Sequence, residues 1–394
     1  MTRAQRLLRI PPYPFREIAS LKKKALAEGV KLIDFGIGDP DQPTPAFVID
    51  ALAEAAQDPA THQYDETGYG IAEFREAVAA FMQQRFGVTV NAGTEVQSCL
   101  GCKEALVHIE WAYVDPGDIV LVPDPAYSVY RVQSTFCGGT AYPMPLQPEN
   151  GFLPDLAAIP PSVAKAAKLL WLNYPNNPTG AVAELDDLER AVEFARRYDL
   201  VVCQDAAYSE VAFDGYQPHS ILEVEGAKDV AIEFHSFSKT FNMTGWRVGW
   251  AVGGAEHVEA LSKVKANVDS GTFMALQRAG AAALRHYPQW IGTLRGTYQE
   301  RRDRLVAGLN TLGWKLEKPK ATFYLWVPVP EGYTAESFAK ALLVDCGLLV
   351  IPGAVYGDYG EGYVRMSLTI QSPDPLAAID EAIERLRDVP ELLP

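Results

Sequence analysis

The chain has 394 residues, 48% hydrophobic and 22% charged, which is enough to bury the cores of two domains. Thirty-five Lys and Arg face 50 Asp and Glu, so the net charge of −15 argues against a nucleic-acid partner and leaves any anionic substrate to be drawn by local cations. No secretory apolar region opens the chain and no run of eighteen apolar residues occurs, so we expect no membrane contact and a cytoplasmic location.

In chain order, Gly36-Ile37-Gly38 continues into Asp39-Pro40 where a dinucleotide-binding fold would begin a helix, which disfavours a nicotinamide dehydrogenase. Between residues 46 and 275 strand and helix patterns alternate without repeats or a Gly/Ser linker. That alternation predicts an α/β domain with a mostly parallel sheet covered on both faces. Gly101 precedes a helical stretch beginning Cys102-Lys103-Glu104, whose first amides and dipole suit an anion. Cys99 and Cys102 make a C-x-x-C pair, but no second pair or histidine cluster follows at zinc spacing, so no metal is expected. Leu169-Leu170-Trp171-Leu172 reads as a buried strand running into Asn173-Tyr174-Pro175-Asn176-Asn177-Pro178-Thr179-Gly180, a proline-fixed turn that presents Asn177. Leu185, Leu188, Val192 and Ala195 lie at helical spacing and predict core packing.

Leu200-Val201-Val202-Cys203 is a second buried strand, and Asp205 and Tyr208 follow its carboxyl end, where ligands bind in open α/β sheets. A helix cap is the plainer reading of a lone Asp there. Ser236-Phe237-Ser238-Lys239, with Arg247 eight positions on, then joins an amine to compact hydroxyl donors and a guanidinium. An amine condenses with an aldehyde, and a phosphate beside it needs such donors, so this group suits a phosphorylated aldehyde. Two further strands, Ala321–Val327 and Tyr363–Thr369, are expected in a smaller α+β domain built from residues 1–45 and 276–394.

The Asn-Asn-Pro-Thr-Gly turn, Asp205-x-x-Tyr208 and Ser236-x-Ser238-Lys239 with Arg247 together resemble the fold-type I pyridoxal 5'-phosphate aminotransferases over nearly the whole chain. Within that family Gly36–Asp41, Asp124-Pro125-Ala126-Tyr127, Asn242–Arg247 and Asn267–Gly271 look most like the LL-diaminopimelate aminotransferases of lysine biosynthesis. The resemblance implies a ping-pong exchange of an amino group between an L-amino acid and a 2-oxo acid, most simply LL-diaminopimelate and 2-oxoglutarate. Aspartate, alanine or 2-aminoadipate aminotransferases stay open as alternatives, and a β C-S lyase of the same fold is more remote.

By resemblance, Lys239 carries the cofactor as a Schiff base and acts as general base, while Asp205 pairs with the ring nitrogen. Tyr208 and Asn177 meet the ring's phenolic oxygen, and Tyr127 stacks on the ring. Ser236, Ser238, Arg247, Gly101, Cys102 and Lys103 cradle the phosphate, with Cys102 standing where the family usually has serine. Tyr64 resembles a tyrosine that crosses to the phosphate from the second subunit of a homodimer. Arg365 resembles the fork for the substrate α-carboxylate. Lys103 and Asn177 are also implied on the substrate side, and Tyr13 and Gly38 close over the substrate. The segment Tyr64–Ile71 and the loop Gly353–Gly357 depart from the subfamily's usual form, as Cys102 does, and all three are expected near the pocket.

Overall fold

A computed structural model of the chain describes residues 3–12 and 14–394. Its strands are β1 (Ile33–Asp34), β2 (Val96–Cys99), β3 (Ile119–Asp124), β4 (Thr140–Pro145), β5 (Ala167–Asn173), β6 (Val201–Asp205), β7 (Ala231–Ser236), β8 (Gly249–Gly253), β9 (Tyr324–Pro328), β10 (Leu348–Leu349), β11 (Ile351–Pro352) and β12 (Tyr363–Ser367). Seven of them form one sheet in the order β2-β8-β7-β6-β5-β3-β4, in which β8 alone runs against the others. This is the mostly parallel α/β architecture that the alternating pattern predicts.

The central strands read as unbroken apolar runs because both faces are covered. Side-chain parity divides them: Leu170, Leu172 and Val202 enter one core, while Leu169, Trp171, Val201 and Cys203 enter the core on the opposite face. Asp205 and Asn173 keep the parity of Cys203 and Trp171, and register pairs them side by side at the carboxyl edge of the sheet. The edge therefore points polar groups towards the helix Cys102–Tyr113, whose residues Cys102, Ala105, Leu106 and Ile109 share that second core.

The helix Leu185–Tyr198 shows how local signals serve the packing. Glu184 and Asp187 form a capping box, Asp186 and Asp187 lie in the first turn, and Arg196 and Arg197 lie in the last. This charge order opposes the helix dipole, and losing such a cap costs about 1 kcal/mol. Leu188, Val192 and Ala195 are buried as their spacing predicts. Leu188→Ala would cost more than the cap, about 2–5 kcal/mol, because a cavity remains.

A separate core gathers Ile33 and Phe35, Tyr208 to Phe213, and residues from Leu294 to Leu392. It lies against the antiparallel sheet β11-β12-β9, while β1 pairs with β10. The segment after β1 is stitched down by Ser367 N–H to Phe35 O (2.7 Å), Thr369 Oγ1 to Ile37 O (2.5 Å) and a two-pronged Arg301–Asp41 pair (2.7 and 2.8 Å). These bonds bring Gly36 and Gly38 from the start of the chain beside β12 and the large sheet's carboxyl edge.

Candidate active site

At that edge a cavity of about 350 Å³ is lined by Gly38, Cys102, Lys103, Tyr127, Asn177, Asp205, Tyr208, Ser236, Ser238, Lys239, Arg247 and Arg365. Its size lies at the lower end of the roughly 300–1,000 Å³ typical of small-molecule sites. Tyr13 lies outside the described residues. Tyr64 does not line this cavity; it is 82% exposed on the surface. Of the three departures from the family's form, Cys102 alone lines the cavity. The Gly353–Gly357 loop touches it only indirectly, through Tyr356, whose ring lies 5.1 Å from the Arg365 guanidinium.

Asp205 is buried. Its Oδ2 accepts from Tyr130 Oη at 2.9 Å, and its Oδ1 accepts from Cys102 Sγ at 3.5 Å and from Ala207 N–H at 3.2 Å. Burial pushes its pKa up, and these three donors together with His235 oppose that rise. The Cys102 thiol is itself pushed well up by burial and by Asp205, so it stays protonated and donates to Asp205. The Cys102 side chain thus serves the carboxylate, while its backbone stands at the start of the helix Cys102–Tyr113.

Opposite lies a cationic end. Gly101 caps that helix at φ +75°, which favours glycine, and a Cβ there would stand 2.5 Å from Arg247 Nη2, so the guanidinium packs where a side chain would be. Arg247 itself adopts φ +58°, a conformation that costs a non-glycine residue about 1 kcal/mol or more. Its Nη1 donates to Thr244 O at 2.8 Å, which holds the fork towards the helix start. Ser236 caps the short helix Phe237–Thr240 by accepting Ser238 N–H at 3.1 Å, and this turn projects Lys239 into the cavity.

Lys239 Nζ donates to Gly38 O at 2.6 Å. Burial lowers its pKa to about 8, with Arg365 and Arg247 adding to the fall and Asp39 opposing it. An amine so placed is a far better nucleophile and base near neutral pH than an exposed lysine. Lys103 is lowered too, by burial and then by Arg247, and its ammonium lies 5.7 Å from the Tyr127 ring centroid.

The third wall holds Arg365, buried on β12. Its Nη1 donates to Asn177 Oδ1 and its Nη2 to Gly36 O, both at 2.9 Å. Because Asn177 spends its oxygen on Arg365, its amide nitrogen is left as a donor. The turn that carries Asn177 is fixed by Asn173 Oδ1 accepting its N–H at 2.9 Å and by two bonds from Thr179 to Asn176 Oδ1. Arg365 also lies over the Tyr324 ring at 4.0 Å, and Tyr324 and Tyr208 share a hydroxyl bond of 3.0 Å.

Sequence reasoning overlooked Tyr324 and Tyr130. Tyr324 lines the cavity, and a Cβ on Gly38 would land 2.0 Å from its hydroxyl, so the glycine is required by a residue 286 positions away (324 − 38). Its only signal was a place in a predicted strand. Tyr130 carried a subtler one, a polar aromatic one helical turn after Tyr127.

The sequence profile of the class I and II aminotransferases matches residues 30–386. The chain belongs to the class I and II aminotransferases. The LL-diaminopimelate aminotransferase of Moorella thermoacetica is 53% identical over 389 residues, covering 99% of this chain and 98% of that protein. The enzyme of the same name from Gloeobacter violaceus is 51% identical, with 98% of each chain covered. Among solved structures, substrate-bound BacF from Bacillus subtilis superposes with a TM-score of 0.93 at 38% identity, covering 100% of this chain and 98% of that one. N-succinyldiaminopimelate aminotransferase from Mycobacterium tuberculosis follows at 0.87 and 31%, covering 98% and 99%.

This aminotransferase family implies pyridoxal 5'-phosphate, and the cavity fits it on chemical grounds. A buried carboxylate, a cradle of hydroxyls and guanidinium at a helix start, and a lysine with a lowered pKa lie around one space. Arg247 in a left-handed conformation against a glycine is the kind of local strain that functional sites retain.

Proposed function

We propose that the chain is a pyridoxal 5'-phosphate-dependent LL-diaminopimelate aminotransferase using 2-oxoglutarate, working in lysine biosynthesis in the cytoplasm. The observation that carries this reading is half-identity to enzymes of that name over nearly the whole of both chains. The site geometry supports it. When bound, the cofactor supplies a carbonyl that takes up the amino group and a ring that draws electrons from the substrate α-carbon.

In this reading Asp205 holds the ring nitrogen, while Tyr208 and the Asn177 amide nitrogen donate to the ring's oxygen. Tyr127 covers one face. Ser236, Ser238, Arg247 and the backbone of Gly101, Cys102 and Lys103 hold the phosphate. Arg365 takes the substrate α-carboxylate as a planar fork, which sets the α-carbon beside Lys239. Lys239 Nζ would then remove the α-proton and return it across the amino nitrogen, to the carbon that was the cofactor's carbonyl. The Gly38 carbonyl is a resting partner for that amine. Lys103, which lines the same cavity, would meet the second carboxylate that distinguishes diaminopimelate from alanine.

We further propose a homodimer in which the partner's Tyr64 completes the phosphate site. The exposed Tyr64, Val268 and Phe273, and the ring contact of Phe273 with His62, support such a face. The division into a cofactor domain (46–275) and a small domain (1–45 and 276–394) belongs to the same reading. So does closure of one domain on the other when substrate reaches Arg365.

The test is a stopped-flow absorbance scan of the holoenzyme mixed separately with LL-diaminopimelate, L-glutamate, L-aspartate, L-alanine and L-2-aminoadipate. Fast loss of the yellow cofactor band with the first two donors alone is the expected result. Fast conversion by another donor would keep the aminotransferase and reassign its substrate. Release of ammonia and pyruvate from cystathionine without an oxo acid would instead indicate a lyase.

A further inference from the structure

Tyr130 is fully buried and does not line the cavity, yet it holds the carboxylate on which the cofactor reading depends. It lies in the first turn of the helix Val129–Cys137. Its ring is stacked on Trp171 at 4.7 Å with 20° between the planes, and the Trp171 indole N–H donates to Glu110 at 3.0 Å. The Tyr127 ring meets it edge-on at 6.1 Å. The phenol is thereby fixed on two sides, and its hydroxyl is delivered to Asp205 Oδ2 at 2.9 Å with little rotational freedom left to lose.

We propose that Tyr130 is a positioning residue whose hydroxyl keeps Asp205 ionised and its carboxylate turned towards the ring nitrogen of the bound cofactor. The proposal rests on the reading that Asp205 partners that nitrogen. A carboxylate taken out of water must be compensated by donors or it takes up a proton, and a neutral acid cannot form an ion pair with the protonated ring. The groups that oppose burial here are the Tyr130 hydroxyl, the Ala207 N–H, the Cys102 thiol and His235, and the hydroxyl is the first of these. Cys102 and Ala207 share Oδ1, so among the described residues Tyr130 supplies the bond to Oδ2. With both oxygens tied, the carboxylate plane is set, and its remaining lone pairs face the cavity that Asp205 lines. A neutral phenol suits this task because it strengthens the carboxylate's charge without neutralising it. An arginine or lysine in its place would satisfy Asp205 outright and compete with the cofactor.

Tyr130→Phe removes the hydroxyl and keeps the ring in its stack, so packing is conserved. The measurement is affinity rather than turnover: apoenzyme is titrated with pyridoxal 5'-phosphate and with its 1-deaza analogue, in which C–H replaces the ring nitrogen. The unaltered enzyme should prefer the natural cofactor. In Y130F that preference should fall roughly tenfold or more, the worth of one hydrogen bond to a charged group, while affinity for the analogue stays within about twofold. A structural defect would weaken both ligands alike. Incorporation of 3-fluorotyrosine at position 130, a stronger donor of nearly the same shape, should hold the preference or raise it. An undiminished preference in Y130F would overturn the role of Tyr130 and leave that of Asp205 intact. No preference in the unaltered enzyme would overturn the Asp205 pairing, and the role of Tyr130 with it.

Discussion

The two ends of the cavity are built differently. The floor around Asp205 draws its donors from the large sheet and the two helices that cover one face of it: Cys102, Tyr130 and Ala207 surround a residue at the end of β6. The end around Arg365 is assembled from four separate stretches of chain. Gly36 comes from the beginning, Asn177 from the turn after β5, and Arg365 and Tyr324 from adjacent strands near the end. The first region is therefore preorganised within one core. The second exists only while distant segments are held together.

The sharpest test of this division acts on the residue between the two ends. Lys239→Ala should lower turnover by roughly four orders of magnitude, and borohydride should fix no cofactor to the chain. Near-normal activity would remove Lys239 from the chemistry altogether. Asp205→Ala should cost about a thousandfold in kcat and weaken cofactor binding, with substrate KM little changed, because the floor acts on the cofactor. Arg365→Lys keeps the charge and loses the fork, so kcat/KM should fall about a hundredfold for every amino acid, with cofactor affinity unaltered. A loss confined to one donor would mean that Arg365 reads the far end of the substrate.

The amine offers a pH test. With its pKa lowered by burial to about 8, Lys239 is unprotonated at a pH where an exposed lysine is charged, so covalent capture of the cofactor by apoenzyme should speed up with a midpoint near that value. A midpoint near 10 would mean that the site is solvated in solution. The sign for stability follows from the same shift. The unfolded chain binds the extra proton between about 8 and the ordinary lysine value, so this group adds stability to the apoenzyme as pH rises through that window and adds none below it. The smallest effect is expected at the seam between the two ends. Tyr324→Phe keeps the ring under Arg365 and removes the bond to Tyr208, at a cost of about 1 kcal/mol, or about fivefold in kcat/KM.

Much of the cofactor end could be read from the chain because short-range chemistry is local. Unbroken apolar runs mark β5 and β6, a residue at a parallel strand's carboxyl end faces a crevice, and glycine before a helix prepares an anion site. Hence Asp205, Lys239, Ser236, Ser238 and Arg247 were legible together and all line one cavity, with Gly101 beside Arg247 at the helix start. The direction of the Cys102 thiol was not legible, since a rotamer choice depends on what stands opposite, and Asp205 lies 103 residues away. Tyr130 was hidden for the same reason. Its helical phase is visible in the sequence, but the partner that gives the hydroxyl meaning arrives only with the sheet.

What the sequence determined by itself was the alternation of elements, the sites where the backbone must turn or bind an anion, and the residue types able to do amine chemistry. Each of these is set by interactions within a few residues of chain. What only the tertiary structure decided was which distant groups meet: Gly36 O and Asn177 Oδ1 on Arg365, Gly38 O on Lys239, and the Tyr324 hydroxyl against Gly38. The physical reason is that such contacts are fixed by the packing of whole cores and by strand register. Those quantities are summed over the whole chain, and no local stretch of sequence carries them.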